Sequence, residues 1–250
     1  MKREEKERKR IQEEVDELVQ LGKVLERRPK KEEKDAVTVQ LAALLLRVRD
    51  RNGVLRPLRA NPAQRRFEQR RGRRNIVLKA RQMGISTWTA ARFFLKTITS
   101  RGVLTVLVAH TRQAAESIFR IVQRFWECLP RELRDGPLRR SVANVGAMRF
   151  PELDSEFRVL SASDPNAGRG LTVQNLHLSE VSRWPGDARE TLAGLLAALA
   201  PGGEMVIEST PRGAYGCFYE RWGQAVDFGK QGTQLDLVVR HFFPWWLERA

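Results

Sequence analysis

From Asn75 onward, short apolar runs alternate with longer segments of helical period, which restricts the chain to an α/β architecture with a mainly parallel sheet. The runs Asn75–Lys79, Val103–Ala109, Phe157–Ser161, Asn175–Ser179 and Glu204–Glu208 read as strands, and a further one, Leu235–Phe242, ends close to Pro244-Trp245-Trp246. Helices fit Thr87–Thr99, Gln113–Cys128, Ala188–Leu199 and Tyr215–Gln224. None of the apolar runs approaches the roughly 20 residues needed to cross a bilayer, and the charged start, Met1 to Arg10, lacks the apolar stretch of a leader. A soluble chain without a membrane partner is expected. Cys128 and Cys217 lie far apart and there are only three histidines, so neither a disulfide framework nor zinc spacing is present.

Ahead of this region, residues 1–35 read as one charged helix, because Ile11, Val15, Leu18, Leu21 and Leu25 recur at three- and four-residue steps. A stripe this narrow fits either docking onto a partner surface or a plain solvated extension. Arg28 to Asp35, with Pro29, reads as a linker. A second helix fits Val37–Val48, with Leu41, Leu44, Leu45 and Val48 on one face, and Asn52-Gly53 marks a turn.

The net charge is +15, and residues 47–101 supply +14 of it, mostly as arginine, while residues 102–250 are neutral. A planar guanidinium matches phosphate oxygens bidentately, so this segregation points to a phosphate ligand: nucleotide, nucleic acid or both. A solvated basic face is the plain alternative for most of these arginines taken singly.

The run Asn75–Lys79 leads directly into Lys79-Ala80-Arg81-Gln82-Met83-Gly84-Ile85-Ser86-Thr87 and then into a helix. A strand, a loop and a helix N-terminus in that order form a phosphate cradle, with a hydroxyl after the loop reaching Mg²⁺. Against G-x-x-x-x-G-K-[ST], Gly84 and Ser86 match, Ile85 replaces the usual lysine, and Lys79 stands at the first glycine. From there a long flexible stem carries an ammonium towards the β and γ phosphates, with Arg81 as a second donor. By spacing alone, an ordinary strand-to-helix turn also fits. Leu176-His177-Leu178-Ser179-Glu180 places a carboxylate at a strand end, where Glu180 can activate water and Ser179 occupies the position of a magnesium-supporting aspartate. The next strand ends in Ile207-Glu208-Ser209-Thr210-Pro211-Arg212-Gly213, whose hydroxyls are placed to sense a γ-phosphate. Upstream, Gly168-Arg169-Gly170 offers a guanidinium between flexible flanks, as an arginine finger requires.

Together with Asn61-Pro62-Ala63-Gln64-Arg65-Arg66-Phe67 and Trp184-Pro185, and in this order, these residues from about Arg56 to Trp246 resemble the ATPase domain of the large terminase subunit, the motor that packages DNA into tailed-phage capsids. The resemblance implies a P-loop NTPase (ASCE-type) with a mainly parallel central sheet flanked by helices and an N-terminal helical extension, and ATP and Mg²⁺ as ligands. It implies that Gln64 contacts adenine; that Lys79, Arg81, Gln82, Gly84, Ser86 and Thr87 hold nucleotide; that Ser86 and, through water, Ser179 support the metal; and that Glu180 activates water. Ser209 and Thr210 would couple hydrolysis to motion, and Arg169 would act in trans within a ring. The implied partners are double-stranded DNA, a portal, a small terminase subunit and further copies of the chain on the procapsid, in the cytoplasm of a bacterial host, with a monomer compatible in isolation. The implied division is a charged helix over 1–35, the ATPase domain over 36–240 and the start of a linker over 241–250, without nuclease activity. A helicase-like ATPase shares the loop and the glutamate and stays open, and Ile85 and Ser179, which depart from the common P-loop pattern, keep open a catalytically inactive DNA-binding scaffold.

Overall fold

The computed structural model describes residues 2–25, 37–143, 146–164, 166–230 and 237–249. Helices α1 (Lys2–Leu25) and α2 (Val37–Leu45) come first, followed by a hairpin of β1 (Arg47–Arg49) and β2 (Leu55–Pro57). The remainder alternates: α3 (Pro62–Arg70), β3 (Arg74–Lys79), α4 (Ile85–Ile98), β4 (Leu104–Ala109), α5 (Arg112–Glu127), α6 (Arg131–Asp135), β5 (Val142–Ala143), β6 (Ala147–Phe150), β7 (Ser155–Ser161), β8 (Val173–Ser179), α7 (Ala188–Ala197), β9 (Leu199–Ser209), α8 (Gly216–Gln224), β10 (Val226–Asp227) and β11 (Val238–Phe243).

The nine-stranded sheet has the order β10-β11-β3-β9-β8-β4-β7-β6-β5. It is parallel from β10 to β7, and β5 and β6 add an antiparallel edge. Strand side chains alternate between faces. Val77, Leu107 and Val206 therefore join the core under α1, α2, α4 and α5, while Ile76, Val106, Val108, Leu176 and Ile207 join the one under α7 and α8. Burial on both faces explains why these strands read as near-continuous apolar runs. One feature of the order decides the site: β9 lies between the loop strand β3 and the Glu180 strand β8.

The expected strands and helices are present with ends shifted by a few residues, apart from four differences. The helix expected over Val37–Val48 stops at Leu45, because the Arg47 guanidinium donates to the carbonyls of Leu44 and Leu46 at its C-terminal end and the chain turns into the hairpin. Asn61 and Pro62 start α3, which the sequence pattern does not reveal: Asn61 accepts from the Gln64 N–H while Gln64 Oε1 accepts from the Asn61 N–H, a closed capping box. Residues 235–236 of the last expected strand, and the expected linker Arg28–Asp35, lie outside the described residues. Finally, β1, β2, β5, β6, β10 and the short helix α6 are not among the expected elements.

The partner surface of the apolar stripe on α1 is the chain's own core. Val15 and Leu18 are buried in the same cluster as Phe94 and Ile98 of α4, and Asp16 pairs with Arg101 at 3.0 Å. Gly22 allows the close approach, since a Cβ there would stand 2.0 Å from the Thr99 carbonyl oxygen.

The basic segment is not a uniform basic surface. Arg92 and Arg71 are buried, Arg47 and Arg49 are occupied by backbone carbonyls, and Arg56 pairs with Asp50. Arg51, Arg59, Arg66, Arg70, Arg73 and Arg81 remain exposed.

Candidate active site

The loop after β3 is built from two left-handed residues, Gln82 (φ 62°) and Gly84 (φ 69°), and α4 begins at once behind it. Two features at position 84 favour glycine, the backbone conformation first. Its backbone lies where L side chains are strained, and a Cβ would stand 2.7 Å from Gln64 Nε2. The N-terminus of α3 clamps the loop from outside: Asn61 Nδ2 donates to the Met83 carbonyl (3.1 Å) and Gln64 Nε2 to the Gly84 carbonyl (2.9 Å). Behind the loop, the first turn of α4 has no side-chain cap and leaves N–H groups without intrahelical partners. Ser86 and Thr87 lie half-buried on that turn, and Arg81 and Gln82 are exposed beside it.

Lys79, buried at the end of β3, reaches across β9. Its Nζ donates to Glu180 Oε1 at 2.8 Å and stands 3.0 Å from Glu208 Oε2. Burial alone would lower the lysine, but the charges of Glu208 and Glu180 raise it above its ordinary value. Glu180 adopts left-handed backbone (φ 53°) immediately after β8, a conformation costly for a non-glycine residue and held here from several sides. Glu180 Oε2 accepts from the Thr210 hydroxyl (2.8 Å) and N–H (3.3 Å), Arg183 lies at 3.6 Å, and Trp184 Nε1 donates to the Ser179 carbonyl. Ser182 bridges to the Ser209 hydroxyl (2.7 Å) and donates to the Thr210 carbonyl (2.9 Å).

The Ser-Thr pair thus touches the same turn as Glu180, and Lys79, Glu180, Ser209 and Thr210 converge at the C-terminal ends of β3, β8 and β9. Gln64 does not extend into open space. Its amide oxygen caps α3 and its amide nitrogen holds the loop. Arg169, between two left-handed glycines, is exposed and stands 3.9 Å from Glu190 on α7, so it pairs with that residue and not with the carboxylates at Lys79. Ser179 is buried, and its hydroxyl donates to Glu208 at 2.6 Å.

Glu208 is the residue that sequence reasoning missed. It is fully buried on β9, in register with Ser179 of β8 on one side and Val77 of β3 on the other. Burial alone would raise its carboxyl. Contact with His177 (3.4 Å), the Lys79 charge and the Ser179 hydroxyl outweigh it and bring the group down to about 2. A glutamate ending an otherwise apolar strand is a visible signal, but its value depends on which strand lies next to β3.

Among the described residues, no group of three or more His, Cys, Asp or Glu forms a metal cage. The Ser86 hydroxyl, half-buried on the first turn of α4, and the Ser179 hydroxyl, bonded to Glu208, are oxygen donors of the kind that suits Mg²⁺, which takes few protein ligands and keeps waters and phosphate oxygens.

No protein-family model matches the chain, and no curated protein sequence does. Solved structures do. The large terminase ATPase domain of Thermus phage P74-26 superposes with a TM-score of 0.57 at 20% identity, covering 75% of this chain and 82% of that domain. The large terminase of bacteriophage HK97 gives 0.63 at 16% identity, over 82% of this chain and 43% of that protein. The large terminase of a thermophilic bacteriophage gives 0.51 at 13% identity, over 72% of this chain and 42% of that protein. This chain thus spans less than half the length of the latter two proteins, and what it shares with all three at such identities is architecture: it has the fold of large terminase ATPase domains.

Proposed function

We propose that the chain is the ATP-hydrolysing motor domain of a viral DNA-packaging terminase, acting on double-stranded DNA. The convergence of Lys79, Glu180 and Thr210 beside the glycine-hinged loop carries this reading: a cation for phosphate oxygens, a carboxylate for water and a hydroxyl contacting that carboxylate meet at one end of the sheet. In this reading the loop N–H groups, Lys79 and Arg81 bind the phosphates, and Ser86, with Ser179 through water, holds Mg²⁺. The metal would neutralise charge on the β and γ oxygens. Glu180, whose side chain keeps 19% of its surface exposed, orients a water for in-line attack and takes its proton.

Loss of the γ-phosphate would be felt at Glu180 and passed through Thr210 and the Ser182–Ser209 pair to the segment after β9. Arg169, exposed on glycine hinges, suits delivery to a neighbouring copy in a ring. The exposed arginines other than Arg81 would contact DNA phosphates, so DNA affinity should fall steeply with salt. A portal and a small terminase subunit complete the proposed assembly in the host cytoplasm.

The test is phosphate release from Mg-ATP with and without duplex DNA, with Lys79→Ala as control. DNA-stimulated release that is lost in the variant supports the motor. Absence of release from the unaltered chain overturns it in favour of an inactive DNA-binding scaffold.

A further inference from the structure

Ser179 leaves the end of β8 without the carboxylate that a metal-supporting position would carry, yet the site does not lack a second negative charge. It comes from β9, where Glu208 stands in register with Ser179. Its two oxygens face different partners: Oε1 accepts from Ser179 (2.6 Å) and meets His177 (3.4 Å), while Oε2 faces Lys79 Nζ (3.0 Å). Burying a carboxylate at the end of the run Met205-Val206-Ile207 is costly unless it is paired, so a merely space-filling position there favours an apolar side chain.

We propose that Glu208 is a positioning residue that supplies, from the neighbouring strand, the charge that position 179 lacks. It has two effects. First, it shares the Lys79 ammonium, so that Glu180 is not its sole counter-ion and keeps a carboxylate available to water. Second, it takes the hydrogen of the Ser179 hydroxyl, so that the Ser179 oxygen, with two lone pairs and its one donor already committed, presents itself as an acceptor. Serine at 179 and glutamate at 208 are thus one unit with the charge on the second member. The inference rests on the ATPase reading for its catalytic consequence, but the placement of the charge is a property of the folded chain alone.

The test is a double-mutant cycle of Glu208→Gln, Ser179→Asp and the two combined, read by thermal midpoint without nucleotide and by Mg²⁺-dependent phosphate release. Glu208→Gln keeps shape and removes charge, and should lower the midpoint by about 5 °C and turnover about tenfold or more. Ser179→Asp alone places two carboxylates together and should also be damaging. The double variant moves the charge back to β8 and should return the midpoint to within about 2 °C of the unaltered chain and recover most of the turnover. Singles whose effects simply add in the double variant, or a Glu208→Gln chain indistinguishable from the unaltered one in both readouts, would overturn the proposal. If Glu208→Gln does not fold, recovery of a folded chain in the double variant supports the proposal equally, and failure of both overturns it. Compensation in midpoint with no phosphate release from the unaltered chain would sink the ATPase reading and leave the charge placement standing. Release from the unaltered chain with an additive cycle does the reverse.

Discussion

Two clusters of buried charge share strand β9, and they differ in what closes them. In the first, Arg92 of α4, with no exposed side-chain surface, donates to Glu204 of β9 through two nitrogens (2.7 and 2.9 Å), to Glu68 of α3 (3.1 Å) and to Thr38 of α2 (3.0 Å). Trp88 and Arg71 add donors to Glu68, and Lys96 adds one to Glu204, so the carboxylates are surrounded by protein. In the second, Lys79, Glu208 and Ser179 are also buried, but Glu180 keeps 19% of its side-chain surface exposed. A closed network can only hold elements together, here α2, α3, α4 and β9. An open one can exchange a partner for a ligand. The shared strand β9 carries Glu204 in the closed cluster and, further along, Glu208 in the open one, so the rigid network anchors the strand that ends in Ser209 and leads into Thr210.

The contrast can be tested at four points, with pH as one of them. Glu180→Gln should cost about 10³- to 10⁴-fold in phosphate release, about 4–5 kcal/mol of barrier, while leaving nucleotide binding and the thermal midpoint nearly unchanged; full turnover would remove Glu180 from its role. Arg92→Met should do the opposite, destabilising by about 3–4 kcal/mol in urea titrations because two buried glutamates lose their common partner; a neutral result would mean that Arg71 and Lys96 suffice. Acid should loosen both clusters. Glu208 is held at about 2 and Glu204 well below its ordinary value, so their stabilisation is present above the unfolded carboxyl value and is lost as pH falls from about 4.5 towards 2, about 3 kcal/mol for Glu208. Base should separate them, since Lys79 is raised above 10.5 and its contribution disappears only as pH climbs through that raised value, whereas the Arg92 guanidinium keeps its charge. Equal loss of both clusters in alkali, followed by urea midpoints, would refute the distinction. Smallest, Gln64→Ala should cost about 1 kcal/mol through the α3 cap and weaken nucleotide binding severalfold through the freed Gly84 carbonyl; an unchanged affinity would show that the loop holds itself.

Much of the site is legible in the sequence because its signals are local. The loop announces itself by a strand, Gly84 and a helix start within a few residues, and Glu180 by its place at the end of an apolar run. Gln64 stands out by its segment, but its work as a cap and loop clamp does not, because the capping box of Asn61 and Gln64 shows the α3 start only if the segment is read as a helix. The arginines are legible only in part for a different reason. Composition records that Arg92 is basic; whether it faces phosphate or the carboxylates of Glu68 and Glu204 depends on segments far away along the chain.

Local rules suffice for the alternating α/β pattern, the phosphate-loop candidate at Lys79–Thr87 and the strand-end glutamate, since propensity, periodicity and capping act over a few residues. Long-range packing alone made β9 insert between β3 and β8, put the second charge on Glu208 rather than at position 179, docked α1 on α4, and turned Arg92 to the core. Those outcomes rest on contacts between residues 29 apart for Ser179 and Glu208, 101 apart for Lys79 and Glu180 and 112 apart for Arg92 and Glu204. Strand order brings such pairs together, and no local pattern encodes it, because the free energy that selects it comes from burying both faces of the sheet at once.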